Sequence, residues 1–263
     1  MSGRAPRAMI LAAGLGTRLR PLTEDTPKPL VLVGGHPLIA YGLGLLRANG
    51  IRDVVVNVHH HRERIMRELG DGARYGVRIR YSIEPELLDS GGGIRNAARL
   101  FGAEPIVVLN SDIICEVPIR DVLRFHRETR ALVTLVMRDA PDAARYGLFG
   151  IDGAGRIRRF LGEEEPRREE SREPADPLRD RMFASVQILD PRAIAEMPEG
   201  RPFSTMREFY PALFRSGERL FGYLYDGRWL TADTPADLER AEQELHAEGL
   251  PDCMLGSPAR PSR

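Results

Sequence analysis

Cysteine is scarce in this chain, with only Cys115 and Cys253 among 263 residues. Two such distant thiols make no disulfide framework, and they point to a reducing, cytoplasmic compartment. Long apolar runs are missing as well. No segment approaches the ~20 consecutive apolar residues needed to span a bilayer, and the apolar stretch in MSGRAPRAMILAAG is too short for a secretory signal. Neither sign of charge is in excess: 38 basic and 38 acidic residues give a formal net charge of zero. A broad electropositive face for nucleic acid is therefore not expected, and any anion site must be local. No internal repeat is visible. The single tryptophan, Trp229, reads as a core or pocket-wall residue.

What is present is a chain with 42% hydrophobic residues, enough for a substantial core. Apolar strands at Ala8–Ala13, Asp53–Val58, Val77–Ile83 and Pro105–Leu109 alternate with helices at Leu38–Ala48, Arg62–Leu69 and near Ile94–Phe101. That alternation predicts βαβ units and an α/β fold: a Rossmann-like mixed, mostly parallel sheet flanked by helices. Further on, Leu132–Met137, Leu148–Ile151, Ile157–Leu161 and Met182–Leu189 read as strands, and Ser204–Phe214 as a helix. Thr234-Pro235-Ala236-Asp237 has the form of a capping box opening a helix that ends near Ala247. The expected organisation is an extension over 1–7, one domain over 8–250 and a tail over 251–263. Within the domain, about 8–112 is the nucleotide-binding part and about 113–250 the sugar-binding part. Residues 163–181 contain almost nothing apolar and read as a solvated loop, with a lid as the sharper alternative.

Ligands in such sheets sit beyond the carboxyl ends of the strands, and LAAGLGTRLRPLTEDTPKP (11–29) falls at such an end. Gly14 and Gly16 let the backbone come close to a phosphate. Arg18 adds a planar cationic fork suited to phosphate oxygens, and Lys28, between Pro27 and Pro29, a compact charge on a stiff, extended segment. Two other phosphate motifs fail. Leu19 stands where a dinucleotide fingerprint needs its third glycine, and no Gly-Lys-Ser/Thr triplet occurs. Ser90-Gly91-Gly92-Gly93, read as preceding a helix, would let a nucleobase or ribose approach closely. His59-His60-His61 reads as a polar loop, because neighbouring strand residues point to opposite faces. Cys115 reads as a small buried thiol.

The order Gly14-Leu15-Gly16-Thr17-Arg18 … Pro27-Lys28-Pro29 resembles the signature of the sugar-1-phosphate nucleotidylyltransferase family. The resemblance covers most of the chain and is strongest through residue 112. It implies transfer of a nucleoside monophosphate from a nucleoside triphosphate to a sugar 1-phosphate, with Mg²⁺. It also implies nucleotide contacts from Leu11, Ala12, Ala13, Gly14, Gly16, Thr17, Arg18, Lys28, Glu84 and Gly92. Arg18, Lys28 and Asp112 are then the catalytic set, and Asp112, in Asn110-Ser111-Asp112, is the metal ligand. Gly147 and Glu163 are the implied sugar contacts.

The block LGDGARYGVRIRYSIEPELLDSGGGIRNA and the segment ARYGLFGID most resemble N-acetylmuramate-1-phosphate uridylyltransferases. The Glu-Lys-Pro motif of other branches appears without lysine, as Glu163-Glu164-Glu165-Pro166, which suits that branch. Mannose-1-phosphate guanylyltransferases share much of the pattern, so GTP with mannose 1-phosphate is the alternative to UTP with N-acetylmuramate 1-phosphate. One departure stands out. Relatives read W-x-D-x-G-T-P, and that Asp is a metal ligand; here the run is Trp229-Leu230-Thr231-Ala232-Asp233-Thr234-Pro235. A neutral hydroxyl at Thr231 is a poor ligand for a hard dication. Water completing the shell around Asp112, Asp233 as a substitute, and a weakened or purely regulatory protein are the open readings.

Overall fold

The computed structural model describes residues 6–139, 147–165 and 177–254. The strands of the first half are β1 (Ala8–Leu11), β2 (Leu32–Val33), β3 (His36–Pro37), β4 (Asp53–Val58), β5 (Arg78–Ile83), β6 (Ile106–Asn110) and β7 (Ile113–Cys115). The second half adds β8 (Val133–Arg138), β9 (Phe149–Ile151), β10 (Ile157–Phe160), β11 (Glu163–Glu164), β12 (Arg179–Leu189), β13 (Leu220–Leu224) and β14 (Trp229–Thr231).

Strands β5, β4, β1 and β6 lie side by side and parallel. Their residues alternate between two cores. Ala8, Ile10, Val54, Val56, Val107 and Leu109 face one, while Met9, Val55, Ile106 and Val108 face the other. Burial on both faces explains why β1, β4 and β6 read as apolar runs, while the edge strand β5 alternates buried and exposed residues. The sheet continues antiparallel from β6 to β12, and β12 pairs with β8 and β9. The architecture expected from the alternation is therefore present: a mixed, mostly parallel central sheet with helices on both faces. Eight-residue and longer helices follow the apolar spacing. The helix over Leu38–Ala48 is apolar on nearly every side and is buried; an amphipathic helix over Ile119–Thr129 turns Ile119, Val122, Leu123 and His126 inward.

Several expectations need correction. The glycine run does not precede a helix; it lies inside one, Asp89–Asn96, and a 3₁₀ turn over Ala98–Leu100 follows. Glycine disfavours a helix by ~1 kcal/mol, yet here the packing demands it. A Cβ on Gly91 would run into the Phe203 ring, and one on Gly92 would sit 2.9 Å from the Arg201 carbonyl oxygen. The helix expected over Ser204–Phe214 opens instead with a π turn, Thr205–Phe209, before Tyr210–Arg215. Pro211 has no N–H to give, and both Glu208 and Phe209 donate to the Ser204 carbonyl. The capping box forms as read: Thr234 and Asp237 exchange side-chain and backbone hydrogen bonds and start Pro235–Glu248.

Cys253 and Met254, expected in the tail, are buried, and the Cys253 carbonyl lies 2.9 Å from where a Cβ on Gly44 would stand in the Leu38–Ala48 helix. Residues 1–5, 140–146, 166–176 and 255–263 lie outside the described residues, and with them most of the expected extension, tail and 163–181 loop. Among the described residues no helix is long and apolar enough to cross a membrane. Gly91→Ala is expected to destabilise the fold by about 1–3 kcal/mol. Adding Phe203→Leu should recover part of that loss, which urea unfolding of the single and double variants measures.

Candidate active site

Strand β1 ends at Leu11, and the chain turns through buried Ala12 and Ala13 into exposed Gly14 and Leu15. Gly16 takes the left-handed conformation with φ 65°. A Cβ there would lie 3.0 Å from the Lys28 Cβ, so glycine is needed both for the turn and for the approach of Lys28. Thr23 Oγ1 donates to the Gly16 carbonyl (2.7 Å) and fixes the loop. The short 3₁₀ turn Thr17–Leu19 then buries Leu19 and leaves Arg18 outside. Lys28 does not ride on an extended segment; it opens a single 3₁₀ turn, closed by Leu30 and Val31 amides donating to Pro27 and Lys28 carbonyls.

Asp112 follows β6, and its neighbour Ser111 donates its amide to the Leu11 carbonyl (3.2 Å), joining it to the phosphate loop. On its other side, β7 and β14 form a two-stranded antiparallel ribbon with Thr231 opposite Ile113. The ribbon extends one step further, where the Ala232 amide donates to the Asp112 carbonyl at 3.0 Å. Asp233 is the next residue. A three-residue strand pair thus joins two carboxylates that are distant in sequence.

The two meet on one cation. Lys28 Nζ lies 2.5 Å from Asp112 Oδ2 and 2.6 Å from Asp233 Oδ1, and Arg18 Nη1 lies 3.0 Å from Asp233 Oδ2. The Lys28, Asp112 and Asp233 side chains are only 13%, 17% and 15% exposed, whereas Arg18 is 67% exposed. Burial alone would lower the Lys28 pKa, but the two carboxylates overrule it and raise it. Burial also pushes Asp112 up, reinforced by the like charge of Asp233, against the pull of Lys28. Asp233 is held below its usual value because Lys28 and Arg18 outweigh its own desolvation. Two positive and two negative groups leave this cluster neutral.

Thr231 is buried in β14 and takes no part in the cluster. Two residues later, Asp233 places a carboxylate beside Asp112 across Lys28. Two hard oxygen donors facing one cation fit Mg²⁺, which keeps several waters and takes substrate phosphates as its other ligands. Among the described residues no group of three or more His, Cys, Asp or Glu side chains could hold a metal. The histidine run in particular disperses: His59 Nδ1 contacts the Glu84 carbonyl, and His61 Nε2 the Glu24 carbonyl.

The remaining expected contacts sit differently. Glu84 is 1% exposed, and its oxygens accept from Asn57 Nδ2 (2.7 Å) and the Leu88 amide (3.1 Å). Gly92 is buried too. The Glu84 side chain is thus engaged inside the protein, where it anchors the segment leading into the Asp89–Asn96 helix. Gly147 has φ 76°, and a Cβ there would meet Leu161 at 2.5 Å. Glu163, in the edge strand β11, forms a two-pronged pair with Arg215 (2.8 and 3.0 Å) rather than joining the cluster. Sequence reading missed Asn57, although a lone amide inside the apolar strand DVVVNV was a signal.

With this geometry in hand, the chain can be set against known proteins. The nucleotidyl transferase family model matches residues 7–248. Mannose-1-phosphate guanylyltransferase of Mycobacterium tuberculosis is 33% identical over 239 residues, covering 90% of this chain and 64% of that protein. UTP–glucose-1-phosphate uridylyltransferase of Synechocystis is 31% identical over 269 residues, covering 97% of this chain and 67% of the relative. The chain thus spans slightly less than two thirds of the Mycobacterium protein. HddC from Yersinia pseudotuberculosis, crystallised with GMP-PN, has the same fold, with a TM-score of 0.75 at 22% identity over 91% of this chain and 99% of HddC.

If the two carboxylates form a dication site, the Lys28 ammonium competes with the metal for them. Lys28→Met is therefore expected to raise affinity for Mn²⁺ at least about tenfold in the absence of nucleotide, as read by calorimetry. Unchanged affinity would mean that the two carboxylates do not form a metal site.

Proposed function

This chain belongs to the nucleotidyl transferase family, and on that premise we propose that it is a sugar-1-phosphate nucleotidylyltransferase. The reaction takes a nucleoside triphosphate and a sugar 1-phosphate to a nucleoside diphosphate sugar and pyrophosphate. The observation that carries this reading is Lys28 held between Asp112 and Asp233, beside the Gly14–Arg18 loop. That loop offers amides and a solvent-facing guanidinium to a polyphosphate, and the carboxylates offer oxygen donors to its counter-ion.

Repulsion between the two anionic substrates is the main obstacle, so positioning and charge neutralisation matter more than proton transfer. A phosphate monoester dianion needs no general base. Its oxygen attacks the α-phosphorus in line, a new P–O bond forms, and the bond to pyrophosphate breaks. The Gly14–Thr17 amides and Arg18 hold the departing β- and γ-phosphates. Lys28, released from the carboxylates as phosphate arrives, neutralises charge at the α-phosphoryl oxygens. Asp112 and Asp233 are the residues that would hold Mg²⁺, which would supply Lewis-acid stabilisation to these phosphates.

For substrates, relatives named as mannose-1-phosphate guanylyltransferases support GTP with mannose 1-phosphate. A second reading, UTP with N-acetylmuramate 1-phosphate, is favoured by the lysine-free Glu163-Glu164-Glu165-Pro166. A catalytically silent sensor is disfavoured because Asp233 restores the carboxylate that Thr231 lacks.

Magnesium-dependent pyrophosphate release should be measured with GTP, UTP, dTTP, CTP and ATP against mannose, N-acetylmuramate, glucose and N-acetylglucosamine 1-phosphates. Turnover with at least one pair is expected; nucleotide binding without any release would leave the sensor. A second test moves the carboxylate. Asp233→Gly is expected to lower kcat by about 100-fold, and Thr231→Asp added to it, which recreates the W-x-D-x-G-T-P order, should recover most of that loss. Full activity in Asp233→Gly would remove Asp233 from the mechanism.

A further inference from the structure

Asn57 is a buried amide in the fourth strand, 3% exposed between apolar neighbours. Both ends of its side chain are used. Oδ1 accepts from the Ala12 amide at 2.9 Å, the first residue of the phosphate loop after β1. Nδ2 donates to Glu84 Oε1 at 2.7 Å. Glu84 passes the connection on: Oε2 accepts from the Leu88 amide at 3.1 Å, and its carbonyl contacts His59 Nδ1 at 3.0 Å. No cation is paired with this carboxylate among the described residues, and burial pushes its pKa up. The next helix is closed over the pair. A Cβ on Gly93 would lie 2.6 Å from Glu84 Oε1 and 2.8 Å from Asn57 Nδ2. A buried polar network in which each atom is satisfied is rigid, and losing one member leaves its partners unpaired.

We propose that Asn57 is a positioning residue that couples the Gly14–Arg18 phosphate loop to the 84–88 segment leading into the Asp89–Asn96 helix, setting nucleotide affinity through Ala12 and Glu84 without touching the ligand. The inference rests on the nucleotidyl-transfer reading and extends it. The two segments follow β1 and β5, parallel strands that flank β4, and lie at their carboxyl ends, where nucleotides bind in such sheets. Beyond residue 112 the Phe203 amide donates to the Leu88 carbonyl (3.1 Å), but among the described residues no bond from that half of the chain reaches Asn57 or Glu84 themselves. Asn57 therefore acts on the triphosphate and leaves the sugar phosphate alone.

The isosteric variant Asn57→Asp separates this from a general structural role. Its carboxylate still accepts from Ala12, but it faces the Glu84 carboxylate and bridges to it only by sharing a proton. Fluorescent mant-GTP and mant-UTP, titrated with Mg²⁺ into wild type and Asn57→Asp, read nucleotide affinity. At about pH 5.5 the variant should stay within about threefold of wild type; at about pH 8, with the proton gone, it should bind at least tenfold more weakly. His59 and Asp89 face Glu84 in both proteins, so the wild-type curve removes their titration. The KM for the sugar 1-phosphate should stay within about threefold at both pH values. Asn57→Asp with Glu84→Gln rebuilds the bridge with donor and acceptor exchanged, and it should restore pH-independent affinity even where the single variant unfolds.

A variant-to-wild-type ratio that is flat with pH, or an equal loss on the sugar side, would overturn the coupling while leaving the functional reading intact. Failure of the double variant to recover affinity would count against it equally. A wild-type protein with no nucleotide affinity would remove the reading beneath it.

Discussion

Two carboxylates can share a shielded corner of a protein only if something positive stands between them. Here that is the Lys28 ammonium, in contact with both Asp112 and Asp233, with Arg18 closing the outer side. Coulomb repulsion between two acids at this separation grows as water is excluded, so the arrangement depends on the lysine as much as on the acids. Much of the local fold serves it. Gly16 lets Lys28 approach, Ser111 ties the Asp112 segment to β1, and the β7–β14 ribbon sets Asp233 beside Asp112.

Under the proposed function, a neutral cluster suits a site that must receive a highly charged pair of substrates. Alone, it would have little attraction for a free dication, since an ammonium already neutralises the carboxylates. A triphosphate would change the balance, because its oxygens compete for Lys28 and Arg18 and bring their own counter-ion. Binding of nucleotide and metal would then be linked through one lysine, as mutual displacement of charges rather than as two separate sites. In the proposed coupling, the Asn57–Glu84 pair would be the rigid floor for this exchange.

Much of the fold was legible. The central strands are buried on both faces, so they appear as apolar runs, and the Thr234–Asp237 box announced its helix. Where the reading slipped, tertiary packing had overruled local preference. Gly91–Gly93 look like a loop because glycine disfavours helix; only Phe203 and Arg201, more than a hundred residues on, and the Asn57–Glu84 pair explain why a helix there needs them. The Thr231 and Asp233 exchange was visible, but its meaning depended on the register of a three-residue ribbon, which no local pattern encodes. Glu84 was noticed as an acid near the site, yet its burial depends on Asn57 and the Leu88 amide, both contributed by folding. Glu163 likewise is claimed by Arg215, 52 residues away.

The most direct test is the position of a bound metal. A crystal grown with Mn²⁺ and a non-hydrolysable triphosphate, measured at the manganese absorption edge, should show an anomalous peak about 2 Å from oxygens of both Asp112 and Asp233. Lys28 should have moved off the carboxylates onto the phosphates. A peak coordinated by Asp112 alone, with Lys28 still bridging to Asp233, would contradict the account.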